Sequence, residues 1–300
     1  MAGAFTVVNL SQLPAPNVVE QLDFETILTA MIADLQERDS TFTALVESDP
    51  AYKILEVCAY RELLMRQRVN ESAKAVMLAY ATGADLDQIG ANVGVQRQVI
   101  APADDTTVPP TPAVMESDED FRARIQLSPE GYTTAGSEGS YVFHGLGADA
   151  DVKDIQAISQ EPGKVTVYVL SRTGDGTAPQ STLDAVTATL NGETIRPMTD
   201  EVTVLSANIV NYTVTAELTL LPGPDATVVQ QSAIDAVTEF VESQRRIGYD
   251  VTLSGLYHAL HQPGVQNVNL TSPATSLALG DGQASYCTEI NVTLADDTDV

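Results

Sequence analysis

The eight residues QSTLDAVT at 180–187 return 51 positions later as QSAIDAVT at 231–238, with six letters unchanged. Each copy follows an alternating apolar run, which indicates a strand, and its own apolar spacing of three and four indicates a helix. A short β-type segment comes after each copy, at 202–204 and at 251–253. Two copies are too few for a solenoid. The repeat therefore predicts an α+β fold with two similar small domains produced by an internal duplication.

A weaker similarity extends this repeat. SYVFHGLGADADVKDI at 140–155 and SGLYHALHQPGVQNVNL at 254–270 both change from a helical to a strand pattern. Together, the similarities predict one α+β domain at 138–205 and another at 206–300, each with helices on one face of its strands.

The amino-terminal third has a different, helical pattern. Residues 1–22 combine prolines with scattered apolar residues, and we expect an extended arm. Asp23 then caps one amphipathic helix, and Asp49 followed by Pro50 begins a second. No breaker follows until Gly83, so the second helix is predicted to run for roughly 32 residues, or about 48 Å.

Residues 23–100 are therefore predicted to be a helical region that binds partner chains. Long, alanine-rich helices with few neighbours usually pack against another chain. The alternative is an antiparallel hairpin of the two helices within one chain. The predicted contact face is apolar and consists of Phe24, Ile27, Leu28, Met31, Ile32, Leu35, Ile54, Met65, Val69, Val76 and Tyr80.

A proline-rich linker is predicted to separate the helical region from the α+β domains. The stretch APADDTTVPPTPAVMESD at 101–118 has no period and is expected to be extended and semi-rigid. A short helix at FRARIQ, capped by Ser117, completes this linker segment, 101–137. The expected hinge residues are Pro102, Pro109, Pro110 and Pro112.

Charge and hydropathy exclude two classes of partner. The formal net charge is −26, and residues 101–300 hold 28 acidic against 8 basic side chains. Such a surface repels a polyanion, so we expect no nucleic-acid partner. The longest apolar run, AVMLAYA at 75–81, is far too short to cross a bilayer, so no membrane partner is expected.

His258 and His261 form the strongest candidate for a metal site. Their i, i+3 spacing on a predicted helix could direct both rings to one ion, as in a metal-dependent hydrolase. Neither an HExxH pattern nor an obvious third ligand accompanies them. The favoured interpretation is a pair of half-buried histidines with ordinary hydrogen bonds, no cofactor and no enzymatic activity.

The segment ATGADLDQIGANVGVQR at 81–97 has the spacing of a helix-turn-helix DNA reader. Recognition helices need several polar or basic side chains directed at bases and phosphates. Arg97 is nearly alone and faces Asp85 and Asp87. A short helix that caps the long one is the favoured interpretation.

Four long segments resemble one known family over nearly the whole chain. They are LSQLPAPNVVE with LDFETIL, YRELLMRQRVNESAKAVMLAYATGADLD, DDTTVPPTPAVMESDEDFRARI and NGETIRPMTDEVTV. These segments resemble the baseplate J family of contractile-tailed bacteriophages.

The resemblance implies a structural subunit of the baseplate wedge, located in the virion tail and assembled in the cytoplasm of the host bacterium. It implies that two copies of the chain join one copy of a second wedge protein, the baseplate I type. Six such wedges would surround a central hub and spike and support the sheath and its triggering. The implied partners are a second copy, the I-type protein, neighbouring wedges, the hub and spike, and the tail proteins next to the sheath.

Overall fold

The computed structural model describes residues 8–10, 13, 14, 16, 18–43, 45–132, 136–223 and 225–295. Over these residues the fold is mixed α and β. The helices are α1 (Phe24–Arg38), α2 (Pro50–Ala75), α3 (Gly83–Asn92), α4 (Asp118–Leu127), α5 (Glu138–Leu146), α6 (Gln180–Leu190), α7 (Ala226–Gln244) and α8 (Leu253–Leu260). The strands are β1 (Val99–Ala101), β2 (Val114–Met115), β3 (Val152–Glu161), β4 (Lys164–Ser171), β5 (Glu201–Ser206), β6 (Asn208–Leu220), β7 (Val265–Ser272) and β8 (Gln283–Leu294).

The described chain forms two compact units. Of the described residues, the helical unit contains 8–97 together with 117–125, and the α/β unit contains 98–116 together with 126–295. Half of the predicted amino-terminal arm, namely residues 1–7, 11, 12, 15 and 17, lies outside the described residues.

The helical unit is built on an antiparallel hairpin of α1 and α2. The Asp23 carboxylate accepts a hydrogen bond from the Thr26 amide at 2.8 Å, which begins α1 as the sequence predicts. Ile27 and Leu28 on α1 pack with Ala59 on α2, and all three are buried. The intrachain hairpin is therefore present, and it covers the predicted apolar face of α1.

The prediction of a 32-residue second helix was wrong. α2 has 26 residues and ends at Ala75. Arg122 of α4 donates hydrogen bonds to the carbonyl oxygens of Leu78 and Ala81, both at 2.7 Å. Those carbonyls thereby gain a tertiary partner, and the chain turns at 76–80 instead of continuing as helix.

The α/β unit contains two three-stranded sheets with the same pattern of strand directions. In the first sheet, β4 is central, antiparallel to β3 and parallel to β5. In the second, β6 is central, antiparallel to β7 and parallel to β8. Each sheet has its own buried core, the first packed with α5 and α6 and the second with α7 and α8.

The repeated octapeptide lies on a helix in both copies and makes the same local contacts. Gln180 donates to Asp184 in α6, and Gln231 donates to Asp235 in α7, both at 2.8 Å. The valine of each copy, Val186 or Val237, is fully buried beneath its sheet. The expectation that both copies occupy the same type of element is thus met.

The predicted strand at 251–253 was wrong. Val251 makes only an isolated bridge with Leu277, and Leu253 begins α8. After α7, the chain forms α8 and β7 before it reaches β8. The strand that pairs in parallel with β6 is β8. The first sheet instead has its helix-strand pair, α5 and β3, before the central strand. The weaker similarity noted in the sequence links these two pairs, α5–β3 and α8–β7.

The predicted extended linker is an antiparallel β-hairpin over most of its proline-rich part. β1 pairs with β2, and Asp104 and Thr111 form a further bridge toward the tip. The Asp104 carboxylate accepts from the amide of Thr106 at 2.8 Å, the turn chemistry typical of aspartate. Local hydrogen bonds therefore give this segment a hairpin form that its prolines did not indicate. Residues 133–135 of the predicted linker lie outside the described residues.

Candidate interaction surface

One side of α2 stays exposed although it is apolar. The opposite side holds Ala59, which is buried against α1. The exposed side carries Ile54, Val57, Met65, Val69 and Val76, each with 61–75% of its surface exposed. Spacings of three and four residues place most of these on one stripe. α2 thus has two apolar sides, and the described residues of the chain cover only one of them.

An open apolar groove of about 700 Å³ runs along this side, which we call the α2 groove. Its apolar lining residues are Val18, Met31, Val57, Cys58, Met65 and Val69, and its polar ones are Glu20, Arg61, Glu62, Arg66 and Asn70. The volume is within the range of pockets that hold a small ligand or several side chains of a partner.

Polar contacts fix the groove at the carboxyl-terminal half of α2. The Asn70 amide donates to the Glu20 carbonyl at 2.8 Å and accepts from the Glu20 amide at 3.0 Å. Arg66 bridges Glu62 at 2.6 Å and Glu20 at 3.2 Å. These bonds hold the segment before α1 against α2, so the groove has a defined wall.

The charge of α2 differs from that of the rest of the chain. The helix holds five of the chain's 15 basic side chains and only three of its 41 acidic ones. In a chain of net charge −26, this helix is a locally basic element. A partner with carboxylates beside an apolar stripe would complement it.

The structure divides the predicted contact face into two parts. On α1, Ile27 and Leu28 are buried in the hairpin, and Phe24, Met31, Ile32 and Leu35 are half-buried. On α2, Ile54, Met65 and Val69 are exposed. Val76, directly after the helix, is exposed as well, and Tyr80 further on is half-buried. Val57, Cys58 and Arg61 of the groove were missed, although their spacing from Ile54 and Met65 marks the same stripe.

The predicted hinge prolines all lie on the β1–β2 hairpin. Pro102, Pro109, Pro110 and Pro112 are exposed there.

His258 and His261 do not have the half-buried positions expected of them. His258 lies on α8, His261 follows its last residue, and both are exposed. Within the described residues, no three or more His, Cys, Asp or Glu side chains are grouped to hold a metal ion.

Arg97 is an internal ion-pair residue and is not placed as a DNA probe. Its guanidinium contacts Asp87 and Asp118 at 2.7 Å each and lies 4.7 Å from the centre of the Phe121 ring. Only 10% of its side chain is exposed. The sequence pattern had indicated Asp85 in addition to Asp87, but the second partner comes from α4.

Across the described part of the chain, no helix is both long and apolar enough to cross a membrane.

An apolar groove on a helix hairpin, with an acidic α/β unit in the same chain, is typical of a structural protein that acts through contact with other chains. The comparisons with known proteins place it in a family. The Baseplate J-like N-terminal domain matches residues 47–104, the Baseplate J-like central domain 133–206, and the Baseplate J-like protein C-terminal domain 212–293. Baseplate protein J of Escherichia phage P2 is 50% identical over 293 residues, which cover 95% of this chain and 97% of that protein. The chain therefore belongs to the Baseplate J-like family, and it is a structural protein of a virion tail baseplate.

A chain in the 6-fold symmetrised cryo-EM structure of the anti-feeding prophage baseplate is a more distant match. It is 15% identical, with a TM-score of 0.41. The match covers 61% of this chain and 44% of that one, so the chain spans less than half of its length.

Proposed function

We propose that this chain is a wedge subunit of a contractile-tail baseplate and that two copies join one copy of a second wedge protein of the baseplate I type. The observation that supports this proposal is the exposed α2 groove. Its exposed apolar residues would be covered by helices of the other two chains, which is the usual fate of a long helix with an uncovered apolar stripe. The proposed role is assembly alone, with no catalysis.

The α/β unit is proposed to face neighbouring wedges, the hub and spike, and the sheath-proximal tail proteins. Its acidic composition supports contact with protein partners and disfavours nucleic acid.

A duplication of one α+β domain is proposed to have produced the two sheets. Its support is the shared octapeptide, the shared strand directions, and the matching pairs α5–β3 and α8–β7. The helix-strand pair lies before the central strand in the first domain, but between α7 and the parallel strand in the second, so we infer that the pair changed its place in the chain after the duplication.

The β1–β2 hairpin and the ends of its flanking segments are proposed as the hinge. Within the described residues, the chain passes between its two compact units at 97–98, 116–117 and 125–126, and the first two of these points flank the hairpin. A few backbone rotations there would leave both packed units unchanged.

The substitution Met65→Asp tests the wedge assignment. It places a carboxylate in the α2 groove at a residue that is 71% exposed, so folding of the free chain should be little affected. Burying that charge beneath a partner is costly, and we expect affinity for the I-type protein to fall at least about a hundredfold. Native mass spectrometry of the co-expressed chains measures the loss of the complex of two copies with one partner.

Met198→Asp is the matched control, because Met198 is 99% exposed in the α/β unit. This variant should assemble as the unchanged chain does. A Met65→Asp chain that still forms the complex would show that the α2 groove is not the interface.

A further inference from the structure

The two sheets of the α/β unit meet at a joint that is both apolar and hydrogen-bonded. Leu170, Ala207, Ile247 and Ala284 form a buried apolar cluster between them. Ala207 also connects β5 to β6, so the chain crosses the joint through a single residue. This single covalent connection would by itself allow the two sheets to rotate relative to each other, so other contacts must hold them.

Gln156 of β3 crosses the joint with both ends of its amide. Its oxygen accepts from the Gly282 amide at 2.7 Å, and its nitrogen donates to Asp281 at 3.2 Å. Gln156 is only 6% exposed, so these bonds are shielded from water. Gly282 has φ of +70°, and a Cβ there would lie 2.7 Å from the Tyr168 ring of β4. Only glycine permits this close approach.

Two further contacts cross the same joint at other points. The Asp154 carboxylate of β3 accepts from the Ile247 amide at 2.8 Å. Arg245, which follows α7, donates to the Gly174 carbonyl at 2.8 Å. Its guanidinium lies 5.0 Å from the centre of the Tyr286 ring of β8. Arg245 is 8% exposed, and aromatic stacking holds its planar group in position.

We propose that Gln156, Asp154 and Arg245 form a clamp that locks the two sheets into one rigid body. The three side chains contact backbone groups at three separate points, Gly282, Ile247 and Gly174, so a rotation of the sheets about one contact would strain the other two. The apolar cluster fills the space between. The α/β unit therefore transmits displacement from one sheet to the other without bending, and any change of shape takes place outside the joint.

Hydrogen-deuterium exchange of the full chain tests the clamp with Gln156→Glu. The new carboxylate lies beside Asp281 in a buried position, which opposes closure of the joint. Exchange should rise at least about tenfold at Gly282 and also at Ile247, because both amides are released by the same opening. Gln160→Glu, at an exposed position of the same strand, is the control with equal charge and should leave both amides protected.

Arg245→Lys provides a second test that does not depend on the folding of the first variant. It keeps the charge but loses the planar stacking group. Exchange at Gly282 and Ile247 should again rise together. If either folded variant loosens only the amide next to its own substitution, the contacts are independent and the clamp is refuted.

Discussion

At the scale of single residues, Arg97 connects two helices of the helical unit, α3 and α4. It contacts Asp87 of α3 and Asp118 of α4 and lies over Phe121, while Gly90 of α3 approaches the same ring. A Cβ at Gly90 would lie 2.5 Å from the Phe121 ring, so α3 and α4 pack closely only with glycine there. A partly buried guanidinium that binds two carboxylates fixes α3 and α4 in one arrangement.

Asp118 should make the stability of this unit depend on acid pH. Burial raises its pKa, but the Gly83 amide and the Arg97 guanidinium outweigh that effect and hold the pKa of Asp118 below its ordinary value. A depressed folded pKa adds stability above the unfolded pKa of about 4, and this stability is lost as the pH falls through the folded value. We expect Asp118→Asn to lower the free energy of unfolding by about 1–2 kcal/mol at pH 7.

Urea unfolding at pH 7 and at progressively lower pH measures this difference, which should begin to shrink below about pH 4. Asp85→Asn, at an exposed aspartate in the first turn of α3, should change the free energy by only a few tenths of a kcal/mol. A pH-independent effect of Asp118→Asn would mean that the carboxylate does not act through its charge.

At the scale of elements, α2 has two apolar sides with different neighbours. Ala59 is fully buried against α1, whereas its neighbour Cys58 lies exposed on the α2 groove. The alanines that suggested close contact with another chain therefore include one that serves the intrachain hairpin. The exposed apolar side of α2, along the α2 groove, is the surface proposed to bind partner chains.

Adjacent substitutions on α2 separate these two sides. Ala59→Leu inserts extra methylene groups into a closed contact and should destabilise the free chain by about 1–3 kcal/mol. Cys58→Leu adds similar volume on the exposed side and should change stability by less than about 0.5 kcal/mol. Thermal and urea unfolding of both variants checks this, and equal losses would show that the hairpin contact is not the tighter one.

At the scale of the whole molecule, three passages of the chain within the described residues join the two packed units. In the proposed wedge, two copies share one complex with a third, different chain, so the two copies would not have equivalent surroundings. Densely packed interiors resist deformation, so the difference between copies is expected at the passages.

A structure of the assembled wedge should therefore show two copies that superpose over 138–295 but differ in the direction of α1–α3. The change of direction should fall at the three passages between the units, at 97–98, 116–117 and 125–126. Cryo-electron microscopy of the complex measures it, and superposition on the helical unit is the control, since α1–α3 should then match internally. One shared conformation for both copies, or a bend within α2, would contradict the hinge.

Local signals in the sequence determined where elements begin and what they contain. Asp23, Pro50 and Ser117 mark helix starts through contacts within a few residues, and the repeated octapeptide forms a helix twice. Contacts between distant parts of the chain decided where α2 ends, how Arg97 is placed and which strand completes the second sheet. α2 ends early because Arg122, 44 residues beyond Leu78, binds a carbonyl. Arg97 is internal because Asp118 pairs with it, and β8 rather than 251–253 completes the second sheet. Capping and periodicity act over one or two helical turns, whereas these outcomes depend on which surfaces meet when the chain folds.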